Sequence, residues 1–134
     1  MAITRAQLEA LYTLNDGLDA RAIARTQETL PFPLPDPYVE FLGISNGLHS
    51  GDRLVLLELE ELGGRNRDYE VQDYLPGFVM IGDDSGGTAL VMKQGEPTVF
   101  EVGMGVLDEE AMEVSAASLH QLLVAFRGKT LVQR

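Results

Sequence analysis

Phe78-Val79-Met80-Ile81-Gly82-Asp83-Asp84-Ser85-Gly86-Gly87-Thr88-Ala89-Leu90-Val91-Met92 decides the fold class. Two short apolar runs, Phe78 to Ile81 and Ala89 to Met92, flank a connection whose six residues Gly82 to Gly87 all suit a turn. Runs of that length bounded by Gly, Asp and Ser read as paired strands and not as one helix. Glycine supplies positive φ in such a connection, and Asp and Ser side chains bond neighbouring backbone amides, so the segment predicts a hairpin. Gln94-Gly95-Glu96-Pro97 turns the chain again and Thr98 to Val102 makes a third strand, giving an antiparallel meander.

Outward from the meander the period changes. Upstream, Arg53 to Leu57 reads as a strand, Glu58 to Gly64 as a helical turn, Arg65 to Leu75 as a short helix, and Pro76-Gly77 as a turn. Asp36 is expected to N-cap a helix with Pro37 in its first turn. That helix buries Tyr38, Phe41 and Leu42 on an i, i+3, i+4 stripe and stops at Asn46-Gly47. Leu30-Pro31-Phe32-Pro33-Leu34-Pro35 cannot be helical with proline at alternate positions, and is an extended connector. Two more helices are expected, over Thr4 to Leu14 (Leu8, Leu11, Tyr12 inward) and Leu18 to Thr29 (Leu18, Ala22, Ile23 inward), separated by Asn15-Asp16-Gly17. Downstream, an irregular acidic loop runs through Glu110. Ser118-Leu119-His120-Gln121 then has the form of a capping box, opening a helix that buries Leu119, Leu122, Leu123 and Phe126. The expected class is α+β: helices on one face of an antiparallel sheet, with a closing C-terminal helix. At 134 residues the chain is read as one domain, 1–134, large enough to bury its own core.

Composition narrows the function. With no cysteine there is neither a disulfide framework nor a thiol nucleophile. The N-terminus lacks the apolar run of a signal peptide and no stretch is long enough for a bilayer span, so the expected location is cytoplasmic. Net charge is −11, and it is concentrated: Glu58 to Glu113 holds fourteen acidic residues against Arg65, Arg67 and Lys93, while the flanks cancel. Such a field repels nucleic acid and anionic lipid and speeds encounter with a basic partner. Acidity of this degree also keeps a small domain soluble.

Chemistry is sparse. His49, placed in a Gly-flanked loop, and His120, in the first turn of the last helix, are the only histidines, at no spacing known for zinc. Asp83-Asp84-Ser85-Gly86-Gly87 lacks the alternating oxygen ligands and terminal Glu of a calcium loop. It also lacks the Gly-Lys-Ser/Thr of a phosphate loop, and Gly82-x-x-Ser85-Gly86 misses the nucleophile-elbow spacing by one residue. Gly103-Met104-Gly105 lacks the third glycine of a dinucleotide fingerprint. Asp108-Glu109-Glu110 reads as solvated loop charge. No nucleophile, base and orienting group assemble, so no catalytic residue, metal site or cofactor is expected.

Three segments in order carry a family resemblance. Leu34-Pro35-Asp36-Pro37-Tyr38-Val39-Glu40-Phe41-Leu42 with Ser45-Asn46-Gly47 resembles the opening motif of the SUKH superfamily (Smi/Knr-like proteins). Tyr74 to Gly87 is similar to that family's strand, Ile-Gly, polar turn and Gly, and Ala117 to Leu123 to its Ser-capped closing helix. The resemblance spans about residues 29 to 126. It implies a non-catalytic α+β domain that binds proteins. Bacterial members serve as immunity proteins against toxins, often nucleases, and fungal members as regulators of cell-wall synthesis. The expected partner is a basic toxin domain met by the acidic surface, with Glu60, Glu61, Asp83, Asp84, Asp108, Glu109 and Glu110 as rim contacts. A regulatory module binding a small molecule or peptide is the alternative. Leu34, Pro35, Tyr38, Phe41, Leu42, Asn46, Gly47, Ile81, Gly82, Gly87 and Ser118 are expected to serve the fold.

Overall fold

A computed structural model describes residues 2–134. Its sheet has seven strands in the order of the chain, every neighbour antiparallel: β1 (Thr13–Leu14), β2 (Leu48–His49), β3 (Val55–Leu56), β4 (Phe78–Asp83), β5 (Thr88–Lys93), β6 (Val99–Gly103) and β7 (Glu113–Ala116). The helices are α1 (Arg5–Glu9), α2 (Ala20–Thr29), α3 (Asp36–Ile44), α4 (Leu59–Asp68) and α5 (Val71–Tyr74). The chain is α+β, and the meander is the whole sheet and not only its second half.

The centre of the sheet is apolar on both faces. Along β4 and β5 every second side chain changes side: Val79, Ile81, Leu90 and Met92 join one core, while Phe78, Met80, Ala89 and Val91 join another. The larger core takes Leu8 from α1, Ile23 from α2, Tyr38, Phe41 and Leu42 from α3, and Leu119, Leu122 and Leu123 from the closing helix. The smaller is roofed by Val71 and Leu75 of the α5 segment, and the partly buried Met104, Leu107 and Met112 pack against it.

Several boundaries differ from the sequence reading. The first helix stops at Glu9 and not Leu14, because Asn15 draws the chain into pairing: its N–H donates to Ser45 Oγ (3.1 Å) and its Nδ2 to Asn46 O (2.7 Å). Thr13–Leu14 therefore becomes an edge strand against β2, and His49 lies in that strand instead of a loop. Asp36 is the first residue of α3 and Pro35 its cap, a shift of one position. Glu58 to Leu75 is one ten-residue helix, a left-handed Glu70 (φ 53°) and a short α5. The irregular loop after β6 contains a 3-10 turn, Glu109–Ala111, capped by Asp108, and then β7, which the sequence reading missed. The closing helix is short: Leu119 and His120 are α-helical and Gln121–Ala125 is π-wound. Ser118 Oγ accepts from Gln121 N–H at 3.0 Å, as a cap should.

The motif residues meet where the sheet is least regular. The β4–β5 register shifts between Met80 and Gly82, so Ile81 lies at a bulge. Tyr38, fully buried, donates its hydroxyl to Leu57 O at 2.6 Å and lies 3.2 Å from Ile81 O, which also accepts from Leu57 N–H at 2.8 Å. Burial, helped by the charge of Glu61, holds the Tyr38 phenol well above its usual range, so it remains a donor. A Cβ on Gly82 would lie 2.1 Å from Val55 O, so only glycine lets β3 and β4 approach. Gly47 turns the chain at φ 80° beneath Glu58. Asn46 Oδ1 accepts from Leu59 N–H at 2.8 Å and so caps α4 from a distance in sequence.

Phe41→Ala should cost about 3–5 kcal/mol in chemical denaturation, the usual loss for a fully buried aromatic. Tyr38→Phe should cost about 1–3 kcal/mol, from the buried Leu57 carbonyl left without its donor. An unchanged denaturation midpoint for either would contradict the packing described.

Candidate functional site

Asp83 and Asp84, expected as surface contacts, are buried and occupied. Arg65 Nη1 and Nη2 both donate to Asp83 Oδ2 at 3.0 Å, and Asp83 Oδ1 accepts from Ser85 N–H at 2.8 Å. Asp84 Oδ1 accepts from Gly86 N–H (2.8 Å) and Thr88 N–H (3.0 Å), with Arg53 Nη2 at 3.7 Å from Oδ2. These carboxylates build the hairpin turn, because adjacent backbone amides and two guanidiniums consume their lone pairs. They are not available to a partner.

Glu60 and Glu61 are exposed on the first turn of α4. Asn46 Nδ2 donates to Glu60 Oε1 at 3.1 Å, and Glu61 Oε1 accepts from Glu58 N–H at 3.1 Å. Carboxylates suit a helix N-terminus, whose free amides and dipole favour negative charge. Three glutamates in four residues also crowd one another. A side-chain hydrogen bond with Glu60 is the main reason Glu58 is raised above its usual range, followed by partial burial and the charges of Glu61 and Glu60, with His49 opposing.

Asp108, Glu109 and Glu110 are exposed on the turn between β6 and β7, where they flank an apolar surface. Directly paired residues share a face of an antiparallel sheet. Met80↔Val91, Val91↔Phe100 and Phe100↔Val114 therefore form one row across four strands. Met80 and Val91 are fully buried, Phe100 is half-buried and Val114 is 59% exposed. The second face of the sheet is thus closed under α5 and opens towards β7. Half-buried Met104, Leu107 and Met112 stand around the opening, and Val106 is exposed on the same loop. Glu113 pairs with Glu101 and so lies on the other face, while Asp73 and the 58% exposed Tyr74 are exposed on α5.

An apolar centre with aromatic and methionine side chains inside a charged rim is the anatomy of a protein-binding surface. Methionine adapts to irregular partners, and exposed tyrosine is a frequent anchor. The sequence reading expected rim contacts at residues 108–110 and did not single out the apolar residues beside them. Phe100 and Val114 share a face only once β7 is recognised, and that strand is four residues long beside a bulge. The available signal was the recurrence of Met104, Leu107 and Met112 within an otherwise acidic loop.

The α4–α5 segment is fixed to the sheet by one buried amide. β3 is only two residues long, so the first half of β4 has a strand, β5, on one side only. Asn66 supplies the missing ladder: its Oδ1 accepts from Met80 N–H at 2.8 Å and its Nδ2 donates to Met80 O at 3.0 Å. Gln72 Nε2 donates to Phe78 O at 2.9 Å and to Asn66 Oδ1 at 3.0 Å. Among the described residues no three His, Asp or Glu side chains are grouped to hold a metal, and no helix is long and apolar enough to cross a membrane.

The model of the SMI1 / KNR4 family (SUKH-1) matches residues 17–125, and the chain belongs to that family. No curated protein matches the sequence. Family membership carries a toxin-immunity or regulatory role in general, exercised through protein–protein interaction and generally without catalysis.

Asn66→Ala should destabilise the domain by about 3 kcal/mol or more, since several buried backbone and side-chain groups lose their partner together. Tyr74→Ala should stay within about 0.5 kcal/mol, as an exposed side chain does. Glu58 should titrate above the usual glutamate range when its side-chain carboxyl is followed by NMR. The sign follows from the raised folded-state value: ionised Glu58 opposes folding above it, and that cost disappears as pH falls through it. A Glu58 titration at or below the ordinary range would contradict the crowding.

Proposed function

We propose that this SUKH-1 domain is an immunity-type protein that binds and neutralises a basic toxin domain, using the open end of the sheet's second face. The observation that carries this reading is the row from Met80 to Val114, which runs from full burial into solvent beside the loop of Asp108, Glu109 and Glu110. Division of labour follows from the physics. The acidic rim attracts a cationic surface over a Debye length and sets the association rate. Phe100, Met104, Met112, Val114 and Tyr74 provide the area that excludes water and sets the dissociation rate.

A nuclease-type toxin suits this surface because its own substrate is a polyanion, and a surface basic enough to hold phosphate is complementary to carboxylates. Asp83, Asp84 and Glu101 are paired internally with Arg65, Arg53 and Arg134. The field seen by a partner therefore comes from the exposed acids of α4, α5 and residues 108–110. The reading is independent of catalysis: the partner is blocked by occupancy.

Capture from native cells at low salt with the tagged domain should retain a basic protein that is toxic when expressed alone. Its association rate should fall about tenfold or more as ionic strength rises from ~0.05 M to ~0.5 M. Val114→Ser and Tyr74→Ala should raise the dissociation rate with unchanged melting. An association rate indifferent to salt, or a captured partner that releases no faster from these variants, would overturn the assignment.

A further inference from the structure

The row from Met80 to Val114 also fixes which way the backbone of β7 points. In an antiparallel ladder, opposed residues alternate between pairs that exchange both backbone bonds and pairs that exchange none. Met80 N–H donates to Asn66 Oδ1 and Met80 O accepts from Asn66 Nδ2, so both groups face away from β5. Met80↔Val91 is therefore a non-bonded pair, and Val91 turns its polar groups to Phe100. Phe100 bonds Val91 in turn, so Phe100↔Val114 is again a non-bonded pair. The end of the β5–β6 hairpin has the same phase: Met104, an even number of residues beyond Phe100, donates its N–H to Gly87 O at 2.9 Å.

Val114 consequently directs its N–H and C=O outward, away from β6. β7 is the last strand of the sheet, and among the described residues nothing bonds to either group from the outer side. The two ends of one row thus differ: a side-chain amide completes the Met80 end, and the Val114 end is open. The Val114 side chain is exposed on the second face, beside the half-buried Phe100. Its neighbour Glu113 is exposed on the opposite face. Ser115 shares that face with Glu113, buried and bonded to Glu101.

We propose that the edge of β7 takes an antiparallel strand from a basic protein partner, added to the sheet beyond Val114. One residue of that strand exchanges both backbone bonds with Val114, and an apolar side chain there extends the row on the second face. A lysine or arginine next to it falls opposite Glu113 on the other face, where opposite charges attract. The occupant therefore reads apolar at its central position and basic beside it. A second copy of this chain does not fit, since it brings a net charge of −11 and another Glu113 to the same edge. A short, bulged and acidic edge strand also has the features that discourage self-pairing. The inference rests on the reading that the second face binds protein, and adds the backbone contact that holds the partner.

The test is an amide NMR titration of the full chain with a cyclic hairpin peptide whose outer strand reads Thr-Lys-Val-Lys-Thr. Saturable shifts centred on Val114 are expected in the millimolar range, with an amide–amide NOE between Val114 and the peptide valine. Methylating the backbone nitrogen of that valine leaves Val114 O without its donor and should weaken binding about tenfold. Glu113→Gln should weaken it about threefold, as one exposed ion pair does, with unchanged melting. No saturable shift at Val114 would overturn the proposal. Equal binding of the N-methylated hairpin would also overturn it, by making the contact one of side chains on the second face, and the protein-binding reading would then stand. A hairpin that binds as expected while no toxic protein is captured would support the edge and overturn the immunity reading.

Discussion

The hydroxyl of Tyr38 meets the sheet where the ladder of its central strands breaks. β3 ends at Leu56, β4 bulges at Ile81, and the Leu57 carbonyl, which accepts from Tyr38, would otherwise point into an apolar interior, while Ile81 O already accepts from Leu57 N–H. A buried carbonyl without a donor is costly, and a phenol delivered from a helix is a compact remedy. Tyr38 thus joins α3 to the sheet through polar geometry as well as through area. Much else follows from that junction. Gly82 must lack a side chain for β3 to approach, and Gly47 and Asn46 must turn the chain and cap α4 for the next helix to start where it does.

The short β3 has a second consequence. It leaves half of β4 without a strand on its β3 side, and Asn66 with Gln72 replaces that strand by side-chain amides. α4 and α5 can therefore sit beside the sheet and fold over its edge, so that Val71 and Leu75 roof one end of the second face. The roof does not reach β7. Exposure of Val114 and partial exposure of Phe100 are the geometric result of a roof shorter than the sheet is wide.

Most of the fold was legible from local signals. The strands β4 to β6 announce themselves by apolar runs between turn residues, and α3 by its Tyr38, Phe41, Leu42 stripe. The elements that were missed are two to four residues long: β1, β2 and β7. Strands so short carry no usable alternation, and their pairing is decided by distant groups such as Asn15 and Ser45. The same limit applies to the candidate surface. Acidic residues can be counted in a sequence, and exposure cannot. Asp83 and Asp84 look identical to Asp108 until Arg53 and Arg65, distant in sequence, are seen to enclose them. Asn66 reads as an ordinary polar helix residue until it is found at 0% exposure against the edge of β4.

In the proposed complex the open second face, and not the main-core side, contacts the partner. Hydrogen exchange of backbone amides, compared between the free domain and its purified complex, distinguishes the two faces. Added protection is expected at Met104 to Val114 and in α5, with little change in α1, α3 and the closing helix. Protection confined to α3 and the closing helix, with residues 104–114 exchanging as in the free domain, would contradict it.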